Sequence, residues 1–347
     1  MGGVGGLKAP FPYFGRKSRV APLVWSRFGD VPNYVEPFFG SGAVLLSRPS
    51  EPRIETVNDL DGFIANFWRA VQHDPDAVAQ WADWPVNEND LHARHMWLVQ
   101  RRGELHALLD TDPDAYDAKI AGWWVCGICQ WIGSGWCAAP SPAASADGGA
   151  VAHKLPHLTS AGMGVHRQLP HLGDAGRGIM SGTQHIAVGA DAVEAHRENL
   201  VSMMRELQAR LRRVRVCSGD WTRILGPTPT TKQGLTAVFL DPPYAESERD
   251  ANIYAVETNV SAAVREWALT AGDDPLLRIA LCGYDGEHEM PATWEAVPWK
   301  AHGGYGSQGT GRGRENATRE MVWFSPHCLK PDRPQQLDLF AQESEEQ

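Results

Sequence analysis

Three short apolar runs in this chain each stop at residues that a strand has no use for, and that repetition limits the folds open to it. Asn33-Tyr-Val-Glu36 runs into Pro37-Phe-Phe-Gly-Ser-Gly42, Arg53–Val57 into Asn58-Asp59, and Ala237-Val-Phe-Leu240 into Asp241-Pro-Pro-Tyr244. Helical patterns follow the first two, at Ala43–Leu46 and at Asp61–Val71, where Phe63, Ile64, Phe67 and Val71 share a face. Strand–turn–helix–strand–helix is the beginning of a parallel α/β sheet. The alternation resumes with a helix at Val193–Leu211, a strand at Val214–Cys217, a helix at Ser261–Thr270 and a strand at Arg278–Cys282. Glu295–Trp299 and Met321–Phe324 read as a closing antiparallel pair around a Gly-rich loop, His302–Arg319. The expectation is an α/β chain with one seven-stranded, mostly parallel sheet.

The pattern breaks between Gln72 and Arg213. Pro75–Trp84, Asp90–Leu109 and Pro113–Ile132 read as three helices with no strand between them. From Cys137 to about Gly189 the chain is rich in Gly, Pro, Ala and His, hence loop-like. Within it Leu155-Pro-His-Leu-Thr-Ser-Ala-Gly-Met-Gly164 is echoed by Leu169-Pro-His-Leu-Gly-Asp-Ala-Gly-Arg-Gly178, a pair of loops or a hairpin. The expected organisation is a core from 1–71 and 214–326, an inserted helical and loop subdomain at 72–213, and a flexible tail at 327–347.

Composition removes several classes of protein. With 347 residues, 43% hydrophobic and 21% charged, most of the chain can bury a core. No apolar run reaches the ~18 residues of a membrane span, and Ile120–Ile132 reads as a buried helix. Met1-Gly-Gly-Val-Gly-Gly6 lacks the charged and apolar parts of a secretory signal, so the expected location is the cytoplasm. Six cysteines are too sparse for a disulfide framework. Cys126-Gly-Ile-Cys129 has no matching second pair and sits in an apolar stretch, so buried thiols rather than a metal site are expected. The net charge of −10 argues against binding nucleic acid by bulk charge and leaves a local basic face open. Arg205–Arg215 and Gly311–Arg319 are the basic clusters; a solvated helix face accounts for the first.

The chemistry lies at the carboxyl ends of the strands, where open α/β sheets bind ligands. Phe38-Phe-Gly-Ser-Gly42 lets backbone N–H groups approach a ligand, although an ordinary tight turn uses the same residues. It is neither a Walker loop nor a full dinucleotide fingerprint. Asp59 is placed to accept the ribose hydroxyls of a nucleoside cofactor, or to help cap the next helix with Asp61. Asp241-Pro-Pro-Tyr244 is the sharpest signal. Two prolines fix the bend and set one carboxylate and one aromatic ring at a single strand end. A planar amino group suits it: Asp241 and a backbone carbonyl accept its hydrogens while Tyr244 stacks on the ring.

With these motifs in this order, the chain resembles the Dam family of N6-adenine DNA methyltransferases, α group. The resemblance covers most of Lys8–Val71 and Val214–Phe324. Pro10-Phe-Pro-Tyr-Phe-Gly-Arg-Lys17, Val35–Gly42, Val57-Asn-Asp59, Ser218-Gly-Asp220-Trp221, Ile279–Asp285 and Asn316–Ser325 are similar to its successive motifs. Tyr13 stands where many members have Trp, and Arg16 where they have a second Gly. The resemblance implies a Rossmann-like fold dependent on S-adenosylmethionine. It implies cofactor contacts from Tyr13, Lys17, Glu36, Phe38, Gly40, Gly42, Asp59, Asp220 and Asp241, and a target adenine held by Asp241, Pro242, Pro243 and Tyr244. Duplex DNA is the implied partner, with 72–213 in the place of the target-recognition region. Arg312 and Arg314 are candidates for phosphate contact, although a mobile hairpin loop explains them too. Transfer to cytosine, RNA or a protein glutamine is the alternative that shares a flat nitrogen; the aspartate favours adenine. A different class of function is signalled by Gln336-Leu-Asp-Leu-Phe340, which resembles the peptide that docks bacterial proteins on the replication sliding clamp.

Overall fold

The computed structural model describes residues 7–13, 17–85, 87–112, 114–132, 136–137, 164–165, 190–244, 260–299 and 319–331. In chain order its main elements are α1 (Ala21–Phe28), β1 (Asn33–Glu36), α2 (Ala43–Leu46), β2 (Ile54–Asp59), α3 (Gly62–His73), α4 (Pro75–Ala82), α5 (Glu88–Thr111), α6 (Ala118–Gln130), β3 (Trp131–Ile132), β4 (Gly164–Val165), α7 (Ala190–Leu211), β5 (Val214–Ser218), β6 (Thr236–Leu240), α8 (Ser261–Ala271), β7 (Leu277–Tyr284), β8 (Glu295–Pro298) and β9 (Glu320–Phe324).

Seven strands form one sheet in the order β5-β2-β1-β6-β7-β9-β8. All run the same way except β9, which pairs antiparallel with β7 and with β8. The mostly parallel α/β sheet expected from the alternating pattern is therefore present. Its central strands, Asn33–Glu36 and Thr236–Leu240, are buried throughout, as they must be when helices cover both faces. Period-two alternation divides the side chains. Tyr34, Phe239, Cys282 and Phe324 enter a core with α1, α3 and α7, while Val35, Val238, Leu281 and Trp323 enter a second core with α8.

The chain order reverses between β1 and β6, which lie side by side with Val35 opposite Val238. Their carboxyl ends, Glu36 and Leu240, therefore open into one crevice, the place where open α/β sheets take ligands. The two strongest motifs of the sequence follow those two ends.

The helices between β2 and β5 continue the first core rather than standing apart from it. Buried residues of α4, α5, α6 and α7 belong to the same cluster as Phe63, Phe67 and Trp68 of α3. Their starts are fixed by side-chain caps: Asp74 on the Ala77 N–H, Asn87 on Asp90 and Asp117 on Ile120. The Asp117 cap explains why the third helix begins at Ala118 and not at Pro113. Gln72 holds the neck of the excursion, its amide donating to the carbonyls of Leu211 and Val214 at 2.8 and 2.9 Å. Two further differences from expectation are α1 and the short antiparallel pair β3–β4, β3 at the end of a stretch read as helix and β4 inside one read as loop. The rest of the tandem similarity, the Gly-rich loop up to residue 318 and the clamp-like tail lie outside the described residues. Among the described residues no helix is long and apolar enough to cross a membrane.

The arginine cluster on α7 is only partly a solvated face. Arg205 forms a two-pronged exposed pair with Asp76, at 2.7 Å for each contact. Arg210 instead reaches Glu55, which is 1% exposed, at 2.7 and 2.9 Å, and Arg48 binds the same carboxylate at 3.1 Å. Arg210 also donates to the Leu45 carbonyl in α2. One buried carboxylate thus ties the returning helix to the sheet and to the turn after β1. Removing one member of such a cluster leaves buried charge without a partner, at about 3–5 kcal/mol. The Glu55→Ala variant should lose stability on that scale in guanidinium unfolding, and a loss under about 1 kcal/mol, the surface-pair range, would contradict the assignment.

Candidate active site

The crevice is built by three strand ends stitched together through Asn58. Its side-chain amide donates to the carbonyls of Pro37 and Gly219, and its own carbonyl accepts from the Phe39 N–H. The turn after β1 is thereby locked to the ends of β2 and β5. Gly40 has φ +47°, gives its N–H to Asp59 at 2.9 Å and accepts from the Trp68 indole at 2.9 Å. A methyl group there would come within 2.6 Å of the Tyr13 ring, so only glycine lets Tyr13 lie on the turn. Gly42, at φ +67°, starts α2.

Tyr13, Lys17, Glu36, Phe38, Gly40, Asp59, Asp220 and Asp241, eight of the residues expected to hold a cofactor, line one cavity at this point. Gly42 does not reach it. Pro243 lines it, whereas Pro242 is buried beside it. Asn58, Gly219 and Trp221 complete the wall without having been singled out, although each lies in or beside a quoted motif. Phe38 and Trp221 stand nearly parallel, 6.1 Å between ring centres, next to the exposed Asp220. Arg312 and Arg314 lie outside the described residues.

The far end of the cavity holds a charged corner. The Lys17 ammonium, almost fully buried, lies 2.9 Å from Asp241 and donates to the Tyr244 hydroxyl at 3.0 Å. Tyr244 in turn donates to Glu320 at 2.7 Å. Burial opposes the Lys17 charge, but Asp241 and Glu320 outweigh it and hold the ammonium above its ordinary pKa. Burial raises the carboxyls of Asp241 and Glu320, although the Lys17 charge works to lower both. Burial likewise pushes Glu36 well up; it accepts from the Tyr34 hydroxyl at 2.8 Å.

Tyr244 is placed differently from the stacking platform expected of it. The ring is 6% exposed and packs edge-on against Tyr284, with centres 4.5 Å apart. Among the described residues its hydroxyl links Lys17 to Glu320 while its ring meets Tyr284. Glu320 was not among the expected site residues, because a single glutamate opening a strand carries no pattern of its own.

The cysteine motif plays no part here. Cys126 is buried in α6 and accepts from Gln130, and burial pushes its thiol up to about 12. Cys129, half-buried, points its thiol at the Pro10 carbonyl.

Residues 13–96 match the family model described as D12 class N6 adenine-specific DNA methyltransferase. Over that region the chain is similar to adenine-specific DNA methyltransferases. No curated protein matches it. The match takes in Tyr13, Lys17, the turn after β1 and Asp59, and it runs past α4 into α5, further than the quoted motifs. It stops well short of Asp241–Tyr244.

Asp59 offers a pH-dependent test of this wall. Burial pushes its carboxyl up to about 7, against the N–H groups of Gly40 and Asp61 that favour the charged form. Unfolded, the group titrates near 3.8, so between these values the folded protein keeps a proton that the unfolded chain has released. This contribution to stability is full at the acid end and is lost as pH rises through about 7. Asp59→Asn should remove that slope. Guanidinium midpoints across the window check it, and parallel curves for wild type and variant would refute it.

Proposed function

We propose that this methyltransferase carries a methyl group from S-adenosylmethionine to the N6 amino group of an adenine flipped out of a specific DNA sequence. The observation that carries the reading is the 2.9 Å pair between Lys17 and Asp241. It joins the family-matched segment to the Asp-Pro-Pro-Tyr bend that the match does not include, so both halves of the motif set meet at one cavity.

The lining suits the cofactor. Asp59 and the Gly40 backbone lie where a ribose needs acceptors and close approach, and Phe38 and Trp221 supply flat apolar walls beside Asp220. Glycine at position 40 lets the Tyr13 ring close over the turn, which supplies a further flat wall to the cavity. When bound, S-adenosylmethionine supplies an electrophilic methyl group on a sulfonium.

The chain's own contribution is to aim a poor nucleophile. The adenine amino lone pair is conjugated with its ring, and acceptors on both amino hydrogens draw it out of that conjugation. Asp241 and the Pro242 carbonyl are those acceptors, set at a fixed spacing by the two prolines. The carboxylate is held ready by Lys17 and gains interaction as positive charge develops on the nitrogen. Flipping the base costs a few kcal/mol, offset by such contacts and by contacts to the DNA backbone. The helical insertion, packed on α3 and tied at Gln72, is the part we assign to target recognition.

A tritiated methyl donor with DNA, followed by nucleoside analysis, tests the reading; label should appear in N6-methyladenine. Asp241→Ala should lower the rate at least about a hundredfold while thermal unfolding remains cooperative. A folded Asp241→Ala variant with near-normal transfer would remove the role assigned to this carboxylate.

A further inference from the structure

Glu320 is a buried carboxylate that the transfer as described above leaves without a task. It opens β9, opposite Tyr284 of β7, and its backbone carbonyl accepts from the Trp299 N–H at 3.0 Å, so its position is set by the sheet. The residue is 4% exposed. It accepts the Tyr244 hydroxyl at 2.7 Å and stands 4.0 Å from the Lys17 ammonium, which is seated on Asp241 at 2.9 Å. The neighbouring Arg319 guanidinium donates to the Asp285 carbonyl.

The hydrogen bond to Tyr244 does not explain the charge. A glutamine would accept it equally well, without the desolvation that a buried carboxylate suffers. Among the described residues the cation that makes use of the negative charge is Lys17. Asp241, however, has to receive an amino group, and Lys17 does not leave its carboxylate free: the ammonium, 2.9 Å from Oδ1, occupies one of the two oxygens and draws on the charge of both.

We propose that Glu320 is a positioning residue for methyl transfer: its carboxylate is a second seat for the Lys17 ammonium, which shifts from Asp241 towards Glu320 when the adenine amino group arrives. The shift needed is small, because the ammonium already bridges both acids through the Tyr244 oxygen. Net charge in the corner is unchanged by the move, and no proton has to cross it. The inference rests on the adenine reading and assigns to Glu320 no contact with the base.

Glu320→Gln keeps the Tyr244 bond and removes the seat. Lys17 then stays on Asp241, and kcat should fall about tenfold to a hundredfold, the scale of a misplaced reacting group, with affinity for S-adenosylmethionine unchanged by calorimetry. The pH profile separates this role from simple support of the fold. Asp241 faces Lys17, Glu320 and Tyr244, with Glu36, Cys282 and Glu287 also within electrostatic reach. Loss of the Glu320 charge removes a like charge from Asp241, so the acid limb of kcat/KM should move to lower pH. Glu320→Asp keeps the charge and should keep the acid limb where the wild type has it.

A folded Glu320→Gln variant with wild-type kcat, or with lowered kcat and an unmoved acid limb, overturns the proposal. Where Glu320→Gln does not fold, Glu320→Asp decides: an acid limb displaced downwards despite the retained charge overturns it, and one in the wild-type position supports it. A wild-type enzyme that methylates no adenine fails at the earlier step and takes the adenine reading down with this one. Wild-type methylation together with an indifferent Glu320→Gln variant defeats the second alone.

Discussion

The Lys17 ammonium is the constraint on which the site depends. It is nearly buried, and a buried cation persists only where acids surround it. Asp241 and Glu320 come from β-strand ends far along the chain, and Lys17 comes from the segment before α1. The N-terminal segment, the bend after β6 and the start of β9 are thereby drawn to one point. Tyr244, expected to offer its face, instead lends its hydroxyl as the bridge between the cation and the second acid.

A second arrangement holds the opposite wall. Asn58 fastens the three loops of the cofactor side, while Glu55, four residues before Asp59 on the same strand, gathers Arg48 and Arg210 beneath them. The helix that returns from the insertion thus rests on the strand that supplies Asp59 and on the helix that follows the glycine turn. Packing at a distance from the crevice and geometry inside it are set by residues of the same strand, β2.

Much of this was legible in the sequence because parallel strands buried on both faces leave short, dense apolar runs, and the residues closing them stand out. All seven strands fall within a few residues of their expected places, and eight residues named for the cofactor side share a cavity. Helix α1 was overlooked although Ala21, Val24, Trp25 and Phe28 repeat at helical spacing, because Pro22 reads as a breaker and is in fact an acceptable first-turn residue. Arg210 was taken for solvated charge, since nothing local announces a partner in a strand so far away in sequence. Glu320 was invisible for the same reason: its meaning comes from Lys17, and only the folded sheet brings the two together.

One reversed strand has a mechanical implication. Six strands of the sheet finish at the crevice, and β9 alone begins there. Its first residue is therefore also the last residue of the connection arriving from β8, with no length of ladder in between to absorb a change. An insertion or deletion in residues 299–319 would be transmitted at once to the acid that faces Lys17. A change in the length of that connection would register first as altered turnover rather than as lost folding.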